Sequence, residues 1–166
     1  MTGPVDGSNE RFSEIFNRQK DQVYNFAVRM LGDRDAAGDI TQEVFLRLYK
    51  SMNTNFAITN LQNWLFILTR NLCLNRIRDS KKEISLETAG VESIPGVDDE
   101  NSNMPVLRRA IMCLETKYRE VIILKEYQGF SYSEMGDILG LTVPAVRSLL
   151  YKARIMLKEQ FERLSI

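Results

Sequence analysis

Apolar residues recur at intervals of three and four along most of the chain, which is the spacing of amphipathic helices. The first such segment begins at Phe12 and is followed by Gly32, a residue typical of helix ends. A second runs from about Asp35 to Ser51, and a third begins at Leu61. No part of the sequence alternates as a strand would. The pattern therefore predicts helices and no sheet.

Between residues 83 and 103 the helical pattern stops and the composition changes. EISLETAGVESIPGVDDENSN contains six acids and no lysine or arginine, together with two glycines and a proline, which is typical of a flexible acidic linker. Apolar periodicity then resumes in four shorter segments near 105–113, 117–128, 132–139 and 143–161. We predict an all-α protein with two small helical domains. The expected divisions are a disordered tail at 1–9, domains at 10–82 and 104–166, and a linker at 83–103.

The joint between the last two helical segments carries the pattern of a helix-turn-helix. Ser131 and Glu134 are spaced as a capping box at the start of the first helix. Gly140 can take the left-handed conformation that ends it. Thr142 can cap the second helix, with Pro144 in its first turn. Two helices joined by so short a turn are expected to cross as in DNA-binding proteins.

The second of these helices is expected to present a basic face to solvent. Its apolar stripe consists of Val146, Leu150, Ala153 and Leu157, so the side chains left outside are Arg147, Ser148, Tyr151, Lys152 and Arg154. Guanidinium, ammonium and hydroxyl groups suit phosphates and base edges, and a tyrosine ring suits a thymine methyl. A basic helix face alone is more often simply solvated. Together with the turn, it favours DNA binding.

Composition excludes several classes of protein. Lysine plus arginine equals aspartate plus glutamate at 22 each, so binding of nucleic acid requires locally segregated charge. Histidine is absent, and Cys73 and Cys113 stand alone in apolar segments, where small buried hydrophobes in a reducing compartment are expected. The sequence shows no catalytic constellation, metal-ligand spacing, signal peptide or membrane-length apolar run. We expect a cytoplasmic protein that binds rather than catalyses and needs no cofactor.

Several segments, in order along the chain, resemble one family. They are DITQEVFLRL from Asp39, NWLFILTRNLCLNRIR from Asn63, YREVI from Tyr118, GFSYSE from Gly129, and VPAVRS from Val143 followed by KAR. The chain resembles the ECF (extracytoplasmic function) sigma factors, which direct bacterial RNA polymerase to promoters. The likeness covers about residues 10–82 and 104–161, and the presence of all the segments in order makes it specific.

The resemblance implies that the second helix docks on core RNA polymerase. In the family an acidic, glutamine-bearing helix binds the clamp helices of the β′ subunit, and the matching residues are Asp39, Gln42 and Glu43. The β subunit is expected as a further contact. Taken alone, these side chains would be ordinary solvated surface.

The resemblance also implies minus-10 contacts in the loop at 51–60 and the helix after it. The loop amides would bind an unstacked base, with Phe56 either stacking on it or anchoring the loop, and the basic residues would neutralise phosphates. Trp64 is interpreted as core because it falls on the apolar stripe. The expected minus-10 set is Asn53, Asn55, Phe56, Asn60, Asn71, Arg76, Arg78, Lys81 and Lys82.

The minus-35 element would be read in the major groove by the last helix, with Thr142 on phosphate. The expected set is Thr142, Pro144, Arg147, Ser148, Tyr151, Lys152 and Arg154. Two positions depart from the family. Glu115 stands where proline is frequent, and Leu149 stands where arginine is common, which removes one phosphate contact.

Two other functions fit parts of the pattern. A stand-alone helix-turn-helix regulator would bind duplex DNA without polymerase, and a helical adaptor would bind proteins with its basic helix simply solvated. The resemblance further implies promoter DNA and an anti-sigma factor as partners, and no small-molecule substrate. As a hypothesis, the acidic linker mimics nucleic acid along the basic channel of polymerase.

Overall fold

The computed structural model describes residues 5–54, 58–84 and 103–166 of the chain. The described residues form helices and contain no strand, which confirms the all-α prediction. They divide into two compact units, Met1–Arg78 and Asp79–Ile166. No helix in these ranges combines the length and apolar character needed to cross a bilayer.

The first unit contains helices α1 (Val5–Leu31), α2 (Arg34–Met52) and most of α3 (Leu61–Ile84). Gly32, at φ 68°, ends α1 as its sequence position predicted. The side chain of Asp33 caps α2, since its Oδ1 accepts hydrogen bonds from the backbone N–H groups of Asp35 and Ala36. Two long helices are thus joined by a single tight turn.

Helix α1 starts at Val5, so the prediction of a disordered tail through residue 9 is wrong for residues 5–9. A side chain at the end of α2 contacts this part of α1, and such a contact between helices cannot be predicted from the periodicity of one segment. The hydroxyl of Tyr49 lies 3.5 Å from Oδ1 of Asn9, and the Tyr49 ring meets the Phe12 ring edge-on, with centroids 5.3 Å apart.

The core of the first unit lies between α1, α2 and the buried side of α3. Phe26 of α1 and Phe66 of α3 meet there edge-to-face, with ring centroids 5.6 Å apart. The fully buried side chains of this unit include Val23, Phe26, Met30, Ala37, Val44, Leu48, Leu65, Phe66 and Cys73. The inward stripe of α2 consists of Ala37, Ile40, Val44, Phe45 and Leu48, which are all buried.

Helix α3 differs from the sequence prediction at Trp64. Its fully buried residues are Leu65, Phe66, Thr69 and Cys73, whereas Trp64 is only half-buried. Thr69 can occupy the core because its hydroxyl donates to the carbonyl of Leu65 at 2.6 Å. Trp64, interpreted as core, is therefore only partly buried and lies at the edge of the core.

The second unit contains α4 (Met104–Cys113), α5 (Thr116–Ile122), a π-helical turn (Ile123–Tyr127), α6 (Tyr132–Leu139) and α7 (Val143–Leu164). Helix α5 runs directly into the π-helical turn, and five consecutive residues, Glu120 to Leu124, are buried. Such a run exceeds one amphipathic stripe, so α5 is a central helix packed on several sides. Cys113 is exposed at the end of α4, so its expected burial is wrong.

Arg119 closes the joint between α4 and α5. Its guanidinium donates to the carbonyl oxygens of Met112 at 2.9 Å and Leu114 at 3.1 Å, which are among the acceptors that the end of α4 leaves without helical donors. Burial lowers the pKa of Arg119.

Candidate protein and nucleic-acid interfaces

One side of α2 projects from the first unit with the expected acidic residues on it. Asp39 and Gln42 are exposed, and Glu43 is partly exposed. Spacings of three and four residues place these side chains on one helix face. Glu43 is already paired, because its carboxylate accepts a hydrogen bond from Nε of Arg47 at 2.8 Å. Asp39 therefore carries the more available charge.

Leu46 adds an apolar residue to this face that was missed from the sequence. It is 45% exposed and lies three residues after Glu43 and four after Gln42. The missed signal was its position: the buried stripe of α2 runs through Val44, Phe45 and Leu48, so a leucine at 46 must face outward. We call Asp39, Gln42, Glu43 and Leu46 the docking face.

The loop residues expected to bind an unstacked base differ in whether their side chains already make hydrogen bonds within the fold. Asn60 serves as a cap for α3, since its Oδ1 accepts a hydrogen bond from the N–H of Asn63 at 3.1 Å. The Oδ1 atom of Asn60 therefore already has a hydrogen-bond partner within the protein. Asn53 is exposed at the end of α2. Asn55 and Phe56 lie outside the described residues.

The basic residues of α3 do not form one continuous track. Arg76, Arg78 and Lys81 are exposed, but positions two apart on a helix point about 200° from each other, so Arg76 and Arg78 lie on different sides. Asn71 is exposed on the same side as Arg78, seven residues away, and half-buried Trp64 lies seven residues before Asn71. We call Trp64, Asn71 and Arg78 the α3 face. The side chain of Lys82 lies outside the described part.

The helix-turn-helix has the geometry that its capping residues predicted. Oγ of Ser131 accepts from the N–H of Glu134 at 3.1 Å, and Oε1 of Glu134 accepts from the N–H of Ser131 at 3.0 Å. These hydrogen bonds from the Ser131 backbone and side chain lower the pKa of Glu134. Gly140 is left-handed at φ 67°, and Oγ1 of Thr142 accepts from the N–H of Ala145 at 3.3 Å.

Gly136 permits a close approach inside this turn that was not foreseen. The N–H of Leu141 donates to the carbonyl of Gly136 at 3.0 Å. A Cβ atom on residue 136 would lie 2.6 Å from the carbonyl oxygen of Leu141. Glycine therefore lets the turn fold back onto α6 and sets the position from which α7 starts.

The outer face of α7 contains the expected DNA-contact residues. Val146, Leu150 and Ala153 are buried and Leu157 is half-buried. The residues left exposed are Pro144, Arg147, Ser148, Tyr151, Lys152 and Arg154, with Thr142 exposed at the N-cap. Tyr151 is 69% exposed, so its ring is available for contact.

Arg154 of α7 is paired with an acid from another element of the second unit. Its guanidinium donates to Oε1 of Glu126, and this hydrogen bond is the first cause of the raised pKa of Arg154. Glu126 lies in the π-helical turn, 28 residues earlier. Arg154 is exposed on α7 as expected, and its guanidinium is paired with Glu126.

An apolar groove of about 530 Å³ opens on another side of the second unit. Met104, Leu107, Ile122, Leu157 and Phe161 line it, and Arg154 and Lys158 are at its border. Its dimensions and lining suit an apolar side chain or helix face better than a phosphate. Within the described ranges, no group of three or more histidine, cysteine, aspartate or glutamate residues could hold a metal ion.

Comparison with known proteins identifies the family of the chain. Residues 15–83 match the family model of Sigma-70 region 2, and residues 106–157 match that of Sigma-70, region 4. The chain is 31% identical over 173 residues to the ECF RNA polymerase sigma factor SigW of Bacillus subtilis, covering 95% of this chain and 92% of that protein. It is 28% identical to the ECF RNA polymerase sigma factor SigE of Mycolicibacterium smegmatis, covering 89% of this chain and 60% of that one.

A solved structure shares the fold. The sigma factor RpoE from Bartonella quintana, crystallised with the anti-sigma factor NepR, matches with a TM-score of 0.78 and 22% identity, covering 92% of this chain and 98% of that chain. The two family-model matches and the match to SigW over nearly the whole chain show the family, and the solved structure has the same fold. The chain belongs to the ECF family of RNA polymerase sigma factors, the initiation factors that direct polymerase to promoters.

Proposed function

We propose that the docking face of α2 holds core RNA polymerase while the α3 face and the outer face of α7 engage the two promoter elements. The observation that carries the proposal is the separation of chemistry between the units. An acidic and apolar surface lies on α2, and an exposed basic and aromatic surface lies on α7. The first suits a protein helix with basic and apolar residues, and the second suits DNA.

The docking face binds the clamp helices of the β′ subunit. Asp39 supplies the most accessible charge, Gln42 supplies hydrogen bonds, and Leu46 supplies apolar area that becomes buried on association. Glu43 remains paired with Arg47, so its role is to fix the position of a cation beside the interface.

The minus-10 strand is captured by the α3 face. Trp64, which is partly exposed, provides a platform for an unpaired base, and a base stacked on an aromatic ring contributes about 1–3 kcal/mol. Asn71 and Arg78 follow at helical spacing with an amide and a cation. Asn53 borders the loop. Because an unpaired base gains these contacts and a paired base does not, binding favours the open promoter.

The minus-35 duplex is read by Arg147, Ser148, Tyr151 and Lys152, which all project from the exposed side of α7. Thr142 and Pro144 lie at the start of the helix, where exposed N–H groups can meet a phosphate. Arg154 supports the helix through Glu126.

The groove beside α4 takes a protein partner. Its apolar lining supports a contact with the β subunit in the holoenzyme, and an anti-sigma factor could occupy the same surface in the inactive state. RpoE from Bartonella quintana is a sigma factor of the same fold bound to an anti-sigma factor. The linker hypothesis concerns residues outside the described part and remains a prediction.

Charge reversal on the docking face tests the proposal. The variant Asp39→Lys with Glu43→Lys should associate with bacterial core polymerase at least about tenfold more weakly, because like charges then face each other. Glu14→Lys with Asp21→Lys, an equal change at two exposed acids of α1, is the matched control. Unchanged association of the double variant, measured by fluorescence anisotropy of the labelled chain, would contradict the proposed docking face.

A further inference from the structure

The ring of Tyr132, the first residue of α6, lies close to two cations from other segments of the second unit. The guanidinium carbon of Arg147 lies 5.3 Å from its ring centroid, and the ammonium of Lys125 lies 4.6 Å from it. The ring is half-buried. Both distances lie within the range of cation–π attraction.

The surroundings fix this cluster in place. Nζ of Lys125 also donates to the carbonyl of Phe130 at 3.2 Å, which ties the π-helical turn to the segment before α6. Glu126 contributes most to the raised pKa of Arg154, and the hydroxyl of Tyr132 contributes further. The Tyr132 ring therefore meets Lys125 from the π-helical turn and Arg147 from α7.

The position of Arg147 gives this contact a consequence for DNA binding. Arg147 is an exposed cation in the first turns of α7. A free arginine side chain loses about 2 kcal/mol of rotamer entropy when a ligand immobilises it. A guanidinium held over a ring has fewer rotamers to lose, while its in-plane N–H groups remain available as donors.

We propose that Tyr132 is a positioning residue for promoter recognition, which orders the guanidinium of Arg147 for its contact with the minus-35 duplex. The inference rests on the proposed reading of that duplex by α7. Tyr132 itself need not touch DNA. Its effect passes through Arg147, so removing the ring should matter only while Arg147 is present.

The test uses the full chain assembled with core polymerase. Holoenzyme is first used to select duplexes from a pool with a randomised upstream segment, and the recovered sequence becomes the binding probe. Affinity and base preference are then measured for Tyr132→Leu, Tyr132→Phe, Arg147→Ala and the combination of Tyr132→Leu with Arg147→Ala. Tyr132→Met, which also lacks the ring, replaces the leucine variant should that variant fail to fold.

We expect Tyr132→Leu to weaken binding about three- to tenfold and to relax preference at the same base pairs as Arg147→Ala. Tyr132→Phe, which keeps the ring, should remain within about twofold of the wild type. In the Arg147→Ala background, Tyr132→Leu should cause no further loss, since the two changes remove one interaction.

Three results would overturn the inference. Tyr132→Leu could weaken binding equally in both backgrounds, which would make the ring a purely structural residue. Tyr132→Leu could leave binding unchanged. Arg147→Ala could also have no effect on binding, and Tyr132 would then have no DNA contact to position. Failure of the wild-type holoenzyme to select any upstream sequence would instead overturn the proposed reading by α7, and this inference with it.

Discussion

Arg154 donates two hydrogen bonds to one carboxylate oxygen of Glu126, from Nη2 at 2.6 Å and from Nε at 3.1 Å. The pair connects the middle of α7 to the π-helical turn, and about half of each side chain remains exposed. A basic residue of the DNA-reading helix is thus partly neutralised by its own domain. Arg147 and Lys152 lie closer to the N-terminus of the same helix.

Replacing Glu126 by glutamine should release this positive charge toward DNA. We expect Glu126→Gln to raise the affinity of the holoenzyme for duplex DNA at low salt and to steepen the slope of log K against log salt by about one unit. The free energy of unfolding should change by no more than about 1 kcal/mol, because the pair is half-exposed. Fluorescence anisotropy across a salt series measures the slope.

Glu162→Gln is the matched control for that experiment. Glu162 is also an exposed acid, but it lies in the last turns of α7, near Lys158 at 4.0 Å. An identical salt slope for Glu126→Gln and the wild type would show that Arg154 does not gain access to DNA when the pair is broken.

The close approach at Gly136 predicts a packing defect when a methyl group is added. Gly136→Ala places Cβ 2.6 Å from the carbonyl oxygen of Leu141, so the turn has to move. We expect a loss of about 1–3 kcal/mol in the free energy of unfolding, measured with urea. Holoenzyme binding at the minus-35 duplex should weaken as well, because the start of α7 shifts.

Gly38→Ala in α2 provides the comparison. Gly38 is exposed, and a Cβ there would meet nothing within 4 Å. Alanine should therefore stabilise the first unit by about 0.5–1 kcal/mol through helix propensity. Equal effects of the two substitutions would contradict the steric role assigned to Gly136.

The capping box makes the stability of the second unit depend on pH. Hydrogen bonds from Ser131 hold the pKa of Glu134 below its ordinary value in the folded state. Because the folded pKa is depressed, the stabilisation is present above the unfolded pKa, about 4.3, and is lost as pH falls through the folded pKa. The advantage of the wild type over Glu134→Ala should thus be present at neutral pH and shrink in strong acid.

Urea unfolding at a series of pH values measures that difference. Ser131→Ala should cost about 0.5–2 kcal/mol at neutral pH and should return the pKa of Glu134 toward its ordinary value. Glu159→Ala, at an exposed acid of α7, serves as the control. A pH-independent gap between wild type and Glu134→Ala would rule out the carboxylate as the capping group.

Leu46 offers a test of the docking face that changes no charge. Leu46→Gln should weaken association with core polymerase about tenfold, because apolar area buried at the interface is lost. The free energy of unfolding should hardly change, since the side chain is 45% exposed in the free chain. Leu141→Gln, at a leucine of the second unit that is 40% exposed, should leave association intact. Equal association of the wild type and Leu46→Gln would remove Leu46 from the interface.

Local chemistry explains what could be predicted from sequence. The ends of α6 and the start of α7 depend on side chains within a few residues, so Ser131, Glu134, Gly140 and Thr142 sufficed to place the turn. The exposed face of α7 followed because its buried stripe is strictly periodic.

Tertiary contacts explain the features that could not be predicted from the sequence. The partial exposure of Trp64 was not foreseen, because apolar residues surround α3 and because Thr69 can be buried with its hydroxyl donating to the carbonyl of Leu65. The pairing of Arg154 with Glu126 joins residues 28 positions apart, which no local pattern shows. The early start of α1 likewise depends on Tyr49 from the next helix.

Strand opening with and without core polymerase tests the central claim most directly. A supercoiled template carrying the sequence selected by the holoenzyme is treated with permanganate, which modifies unpaired thymines. We expect reactive thymines at the minus-10 position when the chain and core are both present, and none with either component alone. Opening by the free chain, or none with the assembled pair, would contradict the proposal that these two units read a promoter only on polymerase.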